Sequence, residues 1–158
     1  MSEPARRAAP DPRLVALFVV ITWTACVIAA FGVLSLTLDL DVISEADAGP
    51  LVGPLMVVGG AVILGAVLAR QSSSLLGGAI TAAVAVYLGM LAVGGIAYAL
   101  ASGRPAQLLL FPFDQIAGPF VVTAAALAGL SVLANRAVLA REGRGGTPRW
   151  PWEDDDGR

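Results

Sequence analysis

Four stretches of this chain run so long without a charged residue at their centres that a bilayer is the environment they fit. The first, Leu14 to Leu38, holds 25 residues without a charge. As a helix it rises about 37 Å and so crosses a hydrocarbon core of roughly 30 Å with some tilt. The next three are expected at about Leu51 to Ala69, Leu75 to Ala101 and Ile116 to Leu139. Arg136 lies near the end of the last, where its side chain can reach the headgroups. A signal peptide is the rival reading of the first run, but an apolar signal core is only about 7–15 residues long. No small-residue cleavage site followed by a soluble domain is evident, so the run is read as a span.

Composition agrees. The 158 residues are 57% hydrophobic and 14% charged, with a mean hydropathy of +0.79, which is far outside the range of a soluble domain. The tails and loops left between the spans are too short for a second folded unit. The expected fold is therefore all-α, a polytopic membrane protein built as an antiparallel bundle of four transmembrane helices. A cytoplasmic tail, 1–13, precedes the 14–139 transmembrane domain and a flexible cytoplasmic tail, 140–158, follows it. Pro4, Pro10 and Pro12 argue against helix in the first tail.

Orientation follows from the arginines, since cytoplasmic flanks are enriched in positive residues. Arg6, Arg7, Arg13, Arg70, Arg136, Arg141, Arg144, Arg149 and Arg158 fall on one side, and Arg104 alone on the other. Both termini are expected in the cytoplasm. The acidic loop with Asp39, Asp41, Glu45 and Asp47 then faces outside, together with the Leu108–Phe113 stretch. That stretch is too short to cross and is interrupted by Pro112, so it is placed in the interface.

Chemistry is sparse. There is no His, every basic residue is Arg, and Cys26 is the one cysteine, so zinc sites, internal disulfides and His- or thiol-based catalysis are excluded or nearly so. No nucleophile–base pair is visible, and the reading is of a chain that is not an enzyme and takes no cofactor. Intramembrane ionisable residues are the usual pointers to transport, and the span centres hold none. The acidic loop lacks the Gly and ligand spacing of a calcium site and reads as a solvated loop.

Small residues four apart let helices approach closely in lipid. Gly77, Thr81, Ala85 and Gly89 form such a stripe on the third span, and Gly78, Ala82, Val86, Met90 and Gly94 form the adjacent one. The first stripe is the candidate packing or self-association face. The second span offers Gly59, Gly60 and Gly65, and the fourth offers Val121, Ala125 and Gly129. On the first span Thr22, Cys26 and Ala30 share a face, read as polar contact between helices, and Trp23 sits with Val27. Asp114 is either a polar site at the outer mouth or a cap on the fourth helix. Gly53-Pro54 and Gly118-Pro119 open two spans that both end at an Arg. A duplicated hairpin explains this, and so does the common use of Pro in first turns and Arg at cytoplasmic ends.

The carboxyl end carries Arg149-Trp150-Pro151-Trp152-Glu153 followed by Asp154 to Asp156. Trp150, Pro151 and Trp152 are candidates for contact with the membrane interface or a partner. With that ending and its Lys-free, Ala/Gly/Val/Leu-dominated composition, the chain resembles a group of small uncharacterised four-span membrane proteins of actinobacteria. The resemblance implies a bacterial plasma membrane and no reaction or substrate. The expected partners are the lipid bilayer and either another membrane protein or further copies of the chain, with no nucleic acid. A non-catalytic accessory or scaffold protein fits these features, with a small homo-oligomeric channel or transporter as the alternative.

Overall fold

A computed structural model describes residues 11–39, 42, 43, 49–70 and 74–143, and the described part is all-helical, with no strand. Its helices are α1 (Pro12–Leu38), α2 (Val52–Ala69), α3 (Leu75–Ser102), α4 (Gln107–Gln115) and α5 (Pro119–Gly143). Four of them, α1, α2, α3 and the Pro119–Ala140 part of α5, are long and apolar enough to cross a membrane. The expected all-α class and the count of four spans hold.

Local chemistry sets the helix ends. Asp11 accepts from the Arg13 backbone N–H at 2.9 Å, and Pro12 opens α1 where its missing N–H is no loss. Pro12, read from sequence as opposing helix, is in fact the first helical residue. Asp39 ends α1 in the left-handed region at φ 52°, and Gly103 ends α3 likewise at φ 65°. Ser74 caps α3 through its Oγ, which accepts from Gly77 N at 3.1 Å.

Packing forms a closed ring: α1 touches α2 and α5, and α3 touches α2 and α5, while α4 lies against α3. The residues that fill the ring are Trp23 and Val27 from α1, Met56 and Leu64 from α2, Ala82, Val86 and Met90 from α3, and Val121 and Ala128 from α5. The outward faces carry large apolar side chains such as Phe18, Ile28, Leu36, Val62, Leu88 and Leu130. In water such a surface would drive aggregation, whereas a lipid chain is as apolar as these groups. The bundle is thus apolar inside and outside, and close fit selects which face turns inward.

Candidate functional site

The middle of the bundle is organised around Trp23. It is fully buried, and its Nε1–H donates to the Ala124 carbonyl of α5 at 3.1 Å. A carbonyl has two lone pairs, so Ala124 can take this bond without giving up a helical one. The indole lies against Gly60 of α2, where an added Cβ would come within 2.8 Å of the Trp23 ring and 3.3 Å of Met90 Cγ. One residue of α1 therefore ties α2 to α5, and it needs a glycine opposite. Among the described residues no polar or charged side chain is buried.

Above this layer the fourth corner of the ring is made of two pieces. The α3 helix meets α4 along Gly94, Gly95 and Tyr98, and meets α5 further back, where a Cβ on Gly129 would be 3.3 Å from the Ala79 carbonyl. Along α3, α4 and α5 thus follow one another, separated by Ile116, Ala117 and Gly118. The sequence reading treated Pro112 as an interruption of the 108–113 stretch, whereas the structure carries the helix through it. A proline lacks the N–H that would bond the carbonyl four residues back, here Leu108. That carbonyl turns to Gly95, where a Cβ would lie 2.8 Å from the Leu108 oxygen.

Phe111 is fully buried against Gly94, Met56 and Tyr98, its ring centroid 5.3 Å from that of Tyr98. At the break itself the Tyr87 hydroxyl donates to the Ile116 carbonyl, and Gly118 N–H donates to the Gln115 carbonyl at 2.9 Å. Backbone that leaves a helix needs partners of this kind. Phe31 of α1 meets Phe120 of α5 just past the break, edge to face at 5.2 Å.

The sequence candidates fall as follows. Of the four-residue stripe on α3, Gly89 faces α2 and is crowded by the Ile63 side chain, Gly77 meets its own cap Ser74, Ala85 is half-buried and Thr81 is exposed. The neighbouring stripe, Gly78, Ala82, Val86, Met90 and Gly94, is the buried one. On α1, Trp23, Val27 and Phe31 turn inward, while Thr22 and Cys26 are exposed. The Thr22 face thus turns outward from the bundle, because the bulky indole takes the interior. Asp114 is exposed in the last turn of α4, five residues ahead of Pro119, so it does not hold the cap position of α5. Trp150, Pro151 and Trp152 lie outside the described residues, as do Asp41, Glu45 and Asp47. Sequence reasoning missed Gly95 and Tyr87; the Gly94-Gly95 pair facing a proline-containing segment was the available signal for the first.

A family profile described as a family of unknown function, DUF6121, matches residues 3–158. The chain belongs to that family. No match to this DUF6121 chain is found among curated proteins or solved structures.

Proposed function

We propose that this DUF6121 protein is a non-catalytic accessory or scaffold protein of a bacterial plasma membrane, with both termini in the cytoplasm, that binds another membrane component. The observation that supports this reading is the apolar packing of the middle of the bundle. From Phe111 through Met90 and Trp23 to Ala128, the core is packed by apolar side chains, and the Trp23 N–H is satisfied by Ala124. Recognition then belongs to the outer helix faces and to the tail with Trp150, Pro151 and Trp152. The test is purification of the full chain from its native membrane in mild detergent, with mass spectrometry of what accompanies it. A stoichiometric membrane protein that is lost when Trp150–Arg158 is removed is the expected result. A homogeneous homo-oligomer with no second component would refute the reading.

One observation favours the second reading, a small homo-oligomeric channel or transporter. The run of helix that α4 and α5 form along α3 is broken at 116–118, and discontinuous helices are a recurrent construction in transporters. Reconstituted in liposomes, a transporter gives ion or dye flux above empty vesicles. The accessory reading expects none.

A further inference from the structure

At the end of the bundle that holds Pro12, Ala69 and Ala140, the described residues leave space between the helices. A cavity of about 740 Å³ opens there between α1, α2, α3 and α5, lined by Pro12, Ala16, Leu68, Gly78, Asn135 and Arg136 among others. That is within the usual range of small-ligand sites, about 300–1,000 Å³. A second cavity of about 620 Å³ shares Pro12, Ala16 and Leu68 with it and continues between α1 and α2, past Leu17, Val20, Ala61 and Gly65. The two adjoin: the first, with Asn135 and Arg136, is the inner end, and the second is an arm between α1 and α2 that carries Asp11 and Arg13 as well as these apolar side chains.

Two features of the inner end point to the ligand. Asn135 has its Oδ1 withdrawn from solvent with no hydrogen-bond partner, and such atoms in native proteins call for an explanation. The terminal torsion of Asn is broad, so a modest turn of the carboxamide presents that acceptor to the cavity. Beside it is the guanidinium of Arg136, which is already engaged within the chain but has five N–H donors. Depth supplies the third argument. Asn135 and Arg136 lie in the last turn and a half of the Pro119–Ala140 span, where the apolar run ends. A guanidinium so placed reaches headgroup level, while Leu17, Val20, Ala61 and Gly65 belong to the spans themselves.

We propose that this space binds one membrane phospholipid. Arg136 takes the phosphodiester, a group that guanidinium donors match in geometry and charge. Asn135 accepts from a hydroxyl or ammonium donor of the headgroup, and an acyl chain leaves between α1 and α2. The proposal stands apart from the identity of any protein partner.

Native mass spectrometry of the full chain, released from mild detergent and titrated with defined lipids, tests it. Phosphatidylglycerol is expected to bind at least tenfold more tightly than diacylglycerol of the same chains. It should also bind more tightly than phosphatidylcholine, whose headgroup has no donor. Arg136→Gln is expected to weaken phosphatidylglycerol at least tenfold and Asn135→Leu about threefold, while Arg70→Gln, at the same end of the bundle, stays within twofold of the parent. Unchanged binding in Arg136→Gln overturns the assignment. If that variant fails to fold, the unmodified protein still decides, because equal retention of diacylglycerol and phosphatidylglycerol overturns it as well. Displacement of the lipid by glycerol phosphate at equal concentration would make the site one for a soluble phosphate compound and would overturn the lipid.

Discussion

Gly95→Ala adds one methyl group where α4 crosses α3, and the structure fixes what that methyl meets. The new Cβ would stand 2.8 Å from the Leu108 carbonyl oxygen and 3.1 and 3.3 Å from Pro112 Cγ and Cδ. Ordinary C···O approaches begin near 3.3 Å, so α3 and α4 must part by about half an ångström. The obstacle is backbone and a proline ring, neither of which can rotate away. Moving α4 as a body also pulls at Phe111, which is fully buried. Overpacking of this kind costs about 1–3 kcal/mol, against which Ala gains about 0.5–1 kcal/mol over Gly as a helix former. Gly32→Ala in α1 is the matched control, because a Cβ there meets nothing within 4 Å. The propensity gain is common to both, so the difference between the two variants isolates the clash. Reversible unfolding in mixed micelles, followed by helicity as denaturing detergent is raised, is expected to place Gly95→Ala about 1–3 kcal/mol below Gly32→Ala. Equal stabilities would refute the close α3–α4 crossing.

Trp23→Phe keeps a ring in the slot opposite Gly60 but deletes the donor to Ala124. Interhelical hydrogen bonds in membranes are worth about 0.6 kcal/mol on average and up to about 1.7, so a loss of roughly 1–2 kcal/mol is expected in the same unfolding assay once lost ring volume is included. Tyr87→Phe removes the donor to Ile116 at the break. Amide exchange over residues 116–121 should then quicken by roughly fivefold to tenfold while α1 and α2 are unaffected, because local opening is governed by local contacts. Uniform quickening across the chain would contradict that local role. Orientation is checked in a Cys26→Ser background: Pro105→Cys is expected to react with an impermeant maleimide on intact cells and Gly146→Cys only after lysis. The reverse pattern would invert the proposed topology.

The number of spans was legible because charge is expensive in hydrocarbon, and Asp39, Arg70, Arg104 and Arg136 therefore mark the ends of apolar runs. The inward faces were far less legible. In a soluble helix the buried side is apolar and the other polar, but α1, α2, α3 and α5 are apolar all round because lipid and core demand the same chemistry. Only size then distinguishes one face from another. Two adjacent stripes on α3 have suitable spacing, and nothing in the spacing says that the Gly78–Gly94 stripe is central while Thr81 is exposed. The choice depends on what the neighbours supply.

Those neighbours explain where the small residues had to be. Gly60 receives an indole, Gly89 receives Ile63, Gly94 receives Phe111, and Gly95 receives a carbonyl that Pro112 leaves unpaired. Each is the complement of one large or rigid group on another helix, and none can be inferred from its own helix alone. Pro112 shows the same dependence from the other side. Taken locally it is a helix breaker, and it is tolerated in α4 because the helix is short and the freed carbonyl of Leu108 is shielded against Gly95. A substitution at Pro112 and one at Gly95 are therefore coupled. Pro112→Ala restores an N–H that can draw the Leu108 carbonyl back into α4 and away from α3. The defect of Gly95→Ala should accordingly shrink in the Pro112→Ala background, a departure from additivity that residues without a shared contact would not show.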